Sequence, residues 1–246
     1  SCKSLTDGCA YGSENVMKSV RKPSNCFDFW GSDTILGRPT AIGKKPLAEL
    51  PGPDRVLGSR RPRSSLSRYK HLNVHTYSNP TQALKNCKKV MKLTKCDAVK
   101  IEGGLKIVQI IKHLRKNKIP VMGHLGILPQ TTKGKFKSKG KSIKEKNEII
   151  RDCKLLEEAG VFSIVLECVE RKLAKKISST IQIPTIGIGS SNFCDGQILV
   201  IDDILGLTDS KMKFVKKFVD VKKIITDGAK KFRKEVKSKK FPKNKH

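Results

Sequence analysis

Short apolar segments alternate with longer amphipathic segments over the later part of this chain. Each apolar segment ends in glycine or in a polar or acidic residue. The five apolar segments cover residues 98–104, 120–126, 162–169, 184–190 and 198–206. Nearly continuous apolar runs are typical of strands buried on both faces, which is the situation in a parallel sheet. The pattern therefore predicts a parallel β-sheet.

The segments between the apolar runs have helical spacing and contain good helix formers. The predicted helices cover residues 105–117, 142–159 and 171–181. Strands that alternate with helices form either a doubly wound sheet or a closed barrel. Ionisable residues follow several different strands, and the sequence contains no GxGxxG turn, so we favour the barrel. The expected fold class is α/β, a (β/α)8 TIM-type barrel.

Residues 1–70 differ from the rest of the chain in composition. They are rich in Arg and hold more than half of the eleven prolines, and few of their segments have the pattern of a strand. We therefore expect the first three β/α units to be degenerate or missing. The predicted organisation is an atypical segment over residues 1–70, disordered or replacing part of the barrel, a barrel domain over 71–236 and a basic tail over 237–246.

Composition narrows the range of partners. The formal net charge is +30, but the lysines are spread over nearly every predicted helix and aromatic residues make up only 5% of the chain, which disfavours nucleic-acid binding. The chain shows neither a long apolar segment nor a signal-peptide pattern, so we expect a cytoplasmic protein with no membrane partner. The eight cysteines form no CxxC pair and are interpreted as reduced apolar residues.

A basic helix is predicted over residues 211–236. Its apolar stripe is narrow and interrupted, which favours packing on a core or on a neighbouring subunit over binding to a membrane.

Three charged residues at the ends of predicted strands are candidates for chemistry. Lys100 and Glu102 alternate along one strand, so their side chains share a face, and Glu167 ends another strand. At a barrel mouth Glu102 could bind a divalent cation and Lys100 could hold an anionic substrate, while Glu167 could move a proton. A partly buried ion pair is the alternative interpretation of Lys100 and Glu102.

His124 and the pair Asp202 and Asp203 each have both a functional and a structural interpretation. His124 lies between two glycines and could donate a hydrogen bond to a substrate oxyanion or satisfy a partner in the core. Asp202 and Asp203 end the last predicted strand, and capping of the following helix is the favoured interpretation.

Five ordered motifs resemble those of the ketopantoate hydroxymethyltransferase family, over about residues 77–246. They are DAVKIEGG at 97–104, IPVMGHLGILPQ at 119–130, LLEEAGVFSIVLECV at 155–169, IPTIGIGSSNFCDGQILVIDDILG at 183–206 and KFVKKF at 213–218. The resemblance implies a (β/α)8 barrel in a cytoplasmic homo-oligomer. The implied reaction transfers a hydroxymethyl group from 5,10-methylenetetrahydrofolate to 3-methyl-2-oxobutanoate, giving 2-dehydropantoate in pantothenate biosynthesis.

The same resemblance implies roles for individual residues. Lys100 would bind the 2-oxo acid substrate, Glu102 would bind Mg²⁺ and Glu167 would be the proton acceptor. His124 is kept as a substrate-binding candidate on its position alone. His71 stands where the family has an aspartate that binds the metal, and the GDS motif that supplies another metal ligand does not occur in this sequence.

These departures from the family pattern predict weaker magnesium binding and impaired activity, because histidine is a poor ligand for a hard cation. The alternative to a hydroxymethyltransferase is a catalytically inactive protein derived from the barrel that serves in binding or oligomerisation.

Overall fold

A computed structural model describes residues 69–132, 137–210 and 212–243, which divide after Ile198 into two compact units. The first unit contains a six-stranded sheet in which every neighbouring pair is parallel and the strands follow one another in chain order. The strands are β1 (Tyr69–His71), β2 (Ala98–Glu102), β3 (Val121–Gly126), β4 (Ser163–Glu167), β5 (Thr185–Ile188) and β6 (Gly196–Gln197). The predicted α/β class with a parallel sheet is confirmed.

Helices connect the first five strands. They are α1 (Pro80–Thr94), α2 (Val108–Lys116), α3 (Ile143–Glu158) and α4 (Arg171–Thr180), with single 3₁₀ turns at Val74–Thr76 and Leu105–Ile107. Side chains cap two of the helix starts: the Asn79 side chain accepts from the N–H of Gln82, and the Ser142 side chain accepts from the N–H of Glu145. The three helices predicted between the strands are therefore present.

The two faces of the sheet are buried against different groups. On β2, Val99 and Ile101 pack with helix residues such as Leu114 and Leu156 in the larger apolar cluster. Alternate residues point to the opposite face, where a smaller cluster holds Ala98, Met122, Phe162, Val165 and Ile186. Along β2 and β3 this second face changes from an apolar side chain near the start of the strand to an ionisable side chain near its end, and along β4 it passes from Ser163 through Val165 to Glu167.

The prediction of a strand over residues 198–206 is wrong. β6 ends at Gln197, and a short helix, α5 (Ile201–Ile204), follows in the second unit. The N–H groups of Asp203 and Ile204 bond to the carbonyl of Val200, which turns the chain into a helix. A short apolar run suits a buried helical turn as well as a strand, so its periodicity alone did not decide between them. Asp202 and Asp203 lie in the first turn of this helix.

The basic C-terminal helix begins later than predicted. It is α6 (Val221–Lys237), and its start is capped by the side chain of Asp220, which accepts from the N–H of Lys223. Residue 211, where the prediction began, lies outside the described residues. None of the residues of α6 is buried, and Ile224, Ile225 and Phe232 are exposed.

Two predictions are tested only in part. The five described cysteines are free and buried, as expected of reduced apolar residues, whereas Cys2, Cys9 and Cys26 lie outside the described residues. The atypical segment 1–70 also falls outside them, apart from its last two residues. Across the described ranges, no helix is both long enough and apolar enough to cross a membrane.

Candidate active site

Ionisable side chains gather where the first four strands end. The register pairs His71 of β1 with Lys100 of β2, Glu102 of β2 with His124 of β3, and Gly126 of β3 with Glu167 of β4. Residues that pair across parallel strands point to the same face, so the side chains of His71, Lys100, Glu102, His124 and Glu167 meet on the face opposite the helices. The residues singled out in the sequence thus lie together at one end of the sheet.

The carboxylate of Glu102 contacts the side chain of His71 and both the backbone and the side chain of Gln130. His71 Nε2 lies 3.0 Å from Glu102 Oε1, and the backbone N–H of Gln130 donates to Glu102 Oε2 over 3.3 Å. The Gln130 amide also donates to Glu102 Oε1 over 3.3 Å and lies 2.8 Å from His71 Nε2. Both carboxylate oxygens of Glu102 are therefore occupied by protein donors.

Gln130 was not recognised from the sequence as a site residue. Its side-chain oxygen accepts from the N–H of Val74, and its amide nitrogen donates to the carbonyl of Leu72, so the orientation of the amide is fixed. Its place as the last residue of the motif at 119–130 is the only signal that pointed to it. Gln130 ties the segment after β1 to the segment after β3.

Tyr77 contacts the backbone at the end of β2. Its hydroxyl lies 3.3 Å from both the carbonyl oxygen and the backbone nitrogen of Glu102. Burial raises the pKa of Tyr77 to about 12, so this hydroxyl stays protonated and acts as a neutral hydrogen-bonding group.

His124 is completely buried and contacts the end of β4. Its Nε2 lies 3.0 Å from the carbonyl oxygen of Ile127 and 3.2 Å from Oε2 of Glu167. Its ring also stacks on that of His71, with centroids 6.2 Å apart. The other ring nitrogen, Nδ1, is buried and has no hydrogen-bond partner within the described residues.

The two carboxyl groups of the site have different acidities. Burial raises the pKa of Glu167 to about 7; the charge of Lys100 opposes that rise and the charge of Glu102 adds to it. Burial also acts against ionisation of Glu102, but the hydrogen bond from His71, with the neighbouring His charges and the Gln130 N–H, holds its pKa below the ordinary value. Glu102 is thus ionised at neutral pH, while Glu167 can gain or lose a proton there.

The lysine and the two histidines are shifted towards their neutral forms. Burial lowers the pKa of Lys100 to about 8, although the charges of Glu102 and Glu167 oppose the fall. Burial also lowers the pKa of His71, and it lowers that of His124 well below the ordinary range. At neutral pH the site therefore contains one ammonium group, one carboxylate, two neutral imidazoles and one carboxyl group close to its midpoint.

Comparison with known proteins gives the family. Ketopantoate hydroxymethyltransferase matches residues 65–244, which is well over half of the chain. The chain belongs to the ketopantoate hydroxymethyltransferase family. The match covers every strand of the sheet and all the ionisable residues of the site, and leaves most of the N-terminal segment unmatched.

Individual relatives agree with the family. A 3-methyl-2-oxobutanoate hydroxymethyltransferase from Pelagibacter ubique is 59% identical over 172 residues, which are 70% of this chain and 66% of the relative. Proteins of the same name from Clostridium botulinum and Prosthecochloris aestuarii are 50% and 45% identical, over 67% and 65% of this chain and 61% and 59% of theirs. The chain thus spans about two-thirds or less of the length of the relatives it matches.

Proposed function

We propose that this chain transfers a hydroxymethyl group from 5,10-methylenetetrahydrofolate to 3-methyl-2-oxobutanoate, giving 2-dehydropantoate for pantothenate biosynthesis. The observation that carries the proposal is Glu167, whose carboxyl group lies at the end of β4 with 15% of its side chain exposed, has a pKa of about 7 and interacts with the charges of Lys100 and Glu102. Family membership supports the choice of substrates. The (β/α)8 barrel, the cytoplasmic location and the homo-oligomeric state stay predictions.

In the proposed reaction Glu167 takes the proton from C3 of the 2-oxo acid, which leaves an enolate. C3 of the enolate then attacks the one-carbon unit of the folate, so that a C–C bond forms as one carbon–nitrogen bond breaks. Water displaces the second folate nitrogen and supplies the oxygen of the new hydroxymethyl group. The two folate nitrogens take up one proton from Glu167 and one from water, and tetrahydrofolate leaves. A carboxyl group with a pKa near 7 suits the first step because it is a stronger base than an ordinary glutamate yet is ionised near neutral pH.

Lys100 is proposed to bind the substrate. Its side chain is buried on the same face as Glu167, and its ammonium group makes no ion pair within 4.0 Å among the described residues. A buried ammonium group that makes no direct ion pair favours an anionic ligand. The carboxylate of the 2-oxo acid would supply that negative charge and place C3 near Glu167.

Magnesium, which the family resemblance implies, fits the described residues poorly. Mg²⁺ prefers oxygen ligands in octahedral geometry, whereas the donors here are one carboxylate, Glu102, and one imidazole nitrogen, that of His71. Both oxygens of Glu102 also accept hydrogen bonds from Gln130 or His71. The described range contains no group of three His, Cys, Asp or Glu side chains arranged to hold a metal ion. We therefore derive no step through a metal.

The proposed function is tested with purified protein, 3-methyl-2-oxobutanoate and 5,10-methylenetetrahydrofolate, followed by proton NMR. We expect 2-dehydropantoate to appear and, without the folate, the C3 hydrogen to exchange with deuterium from the solvent. Deuterium exchange at C3 without formation of 2-dehydropantoate would support Glu167 as the base but would exclude the folate reaction. Absence of both would favour the alternative, an inactive protein of the binding or oligomerisation class, which the poor magnesium fit also favours.

The substitution His71→Asp is expected to strengthen magnesium binding. It would add a second carboxylate near Glu102, at about the place of His71 Nδ1, because the aspartate side chain is too short to reach the place of Nε2. We expect the Mg²⁺ dissociation constant, measured by calorimetry with the 2-oxo acid present, to fall at least about tenfold. His71→Asn has the same shape without the charge and is the control. Equal affinities of the Asp and Asn variants would contradict the prediction.

A further inference from the structure

The protonation state of the His124 ring follows from its partners. Nε2 faces two oxygens, the carbonyl of Ile127 at 3.0 Å and Oε2 of Glu167 at 3.2 Å. A carbonyl oxygen can only accept a hydrogen bond, so Nε2 must carry the hydrogen whatever the protonation state of Glu167. Nδ1 is buried and has no hydrogen-bond partner among the described residues, so a hydrogen there would be unsatisfied, and the ring carries its hydrogen on Nε2 and a lone pair on Nδ1.

The backbone of Ile127 also connects His124 to Glu167. The N–H of Ile127 donates to the backbone carbonyl of Glu167 over 2.9 Å, while the carbonyl of Ile127 accepts from His124. Together with the 3.2 Å contact between His124 Nε2 and Oε2 of Glu167, these two hydrogen bonds link the end of β3 to the end of β4.

Gly126 is what allows these strand ends to approach so closely. Its φ is +96°, and a Cβ at this position would lie 2.1 Å from the carbonyl oxygen of Glu167. The backbone geometry at Gly126 therefore brings the strand ends together, and His124 Nε2–H lies between the carbonyl oxygen of Ile127 and Oε2 of Glu167.

We propose that His124 is a positioning residue for Glu167. Its Nε2–H, anchored by the carbonyl of Ile127, holds Oε2 of Glu167 and leaves Oε1 as the oxygen that receives the proton of the substrate. This role rests on the proposed function, and it differs from direct hydrogen bonding to a substrate oxyanion, because Nδ1 has no hydrogen to donate and Nε2–H is already engaged.

The contact between His124 Nε2–H and Oε2 of Glu167 should also lower the pKa of Glu167. The groups that face Glu167 are His71 from β1, Lys100 and Glu102 from β2, and His124 from β3. A donor to Oε2 stabilises the carboxylate, so its removal should raise the pKa of Glu167 above its present value of about 7. Hydrogen bonds to charged groups are strong enough to move a pKa by about one unit.

The first test uses the wild-type protein labelled with ¹⁵N-histidine. NMR of the imidazole nitrogens should show His124 neutral with the hydrogen on Nε2, in the absence of any ligand. A neutral His124 with the hydrogen on Nδ1 would overturn the proposal. This measurement depends on neither an active enzyme nor a folded variant.

The second test compares His124→Gln with His124→Asn. The Gln amide nitrogen reaches the place of Nε2 and can donate to Glu167, whereas the Asn amide reaches only the place of Nδ1. Titration of Glu167 by infrared spectroscopy, with Glu167→Gln as the reference, should show its pKa raised by about one unit in the Asn variant and nearly unchanged in the Gln variant.

The same two variants separate positioning from other roles. The acidic limb of the pH profile of C3 exchange should move upward with the Asn variant only, while the KM of the 2-oxo acid changes less than about threefold in both variants. Equal pKa values of Glu167 in the two variants, or a loss confined to KM, would overturn the proposal. If the wild-type protein shows no exchange but the infrared shift appears, the proposed function fails, whereas the effect of His124 on the acidity of Glu167 stands.

Discussion

The substitution Glu167→Gln is expected to lower the rate of C3 deuterium exchange about 10²- to 10⁴-fold, which is the usual contribution of a general base. Gln has the shape of Glu and can still accept the hydrogen bond from His124 Nε2–H, but it cannot take a proton. The measurement is NMR-detected exchange of 3-methyl-2-oxobutanoate in deuterated buffer, without folate. A decrease of less than about tenfold would remove Glu167 from the proposed mechanism.

The stability of the same variant provides the control for folding. The pKa of Glu167 is raised from 4.5 to about 7 in the folded chain, so its stabilising contribution is complete below pH 4.5 and is lost as the pH rises to about 7. Above that pH the folded state carries the cost of a buried charge, and the Gln variant does not. Thermal unfolding should therefore show Glu167→Gln to be at least as stable as the wild type at pH 8, by up to about 3 kcal/mol. A less stable variant would indicate that the substitution damages packing.

The second large effect is expected for Lys100→Met. Methionine has nearly the length of lysine but no charge, so the buried face loses its only described ammonium group while its volume is kept. We expect the KM of the 2-oxo acid to rise about 10- to 100-fold, in line with the loss of one hydrogen bond to a charged group. Steady-state kinetics at pH 7 measures the change, and Lys100→Arg, which keeps the charge, should lose less.

Lys100 and Glu167 together predict a narrow pH optimum. Glu167 must be ionised, which requires a pH above about 7, and Lys100 must be protonated, which requires a pH below about 8. The profile of kcat/KM should therefore be bell-shaped with its maximum between those values, and Lys100→Arg should lose the basic limb. A profile that stays flat from pH 6 to 9 would contradict both assignments.

Much of the sheet was predictable from the sequence because its strands are buried on both faces. The nearly continuous apolar runs that contain Glu102 and Glu167 left little choice but buried parallel strands, and helical spacing between the runs located helices such as the one over 142–159. The run 198–206 was ambiguous because six apolar residues around two aspartates satisfy a helical turn as well as a strand.

The site was predictable only where side-chain alternation decided it. Lys100 and Glu102 had to share a face because they are two residues apart on one strand. Gln130 lies in a loop whose path no periodicity describes, and the bond between His124 and the carbonyl of Ile127 depends on a tight turn after β3. Contacts of this kind come from tertiary structure and leave only weak traces in a sequence.

The apolar residues on the second face of the sheet also affect the basicity of Glu167. Met122 and Val165 lie on the face from which His124 and Glu167 project, so the apolar layer below the carboxyl group keeps solvent away from it on one side. The strength of the base is therefore governed in part by neighbours that carry no charge at all. Enlarging a gap in this layer would admit water and return Glu167 towards ordinary acidity, so basicity can be adjusted without touching any group that contacts the reactants.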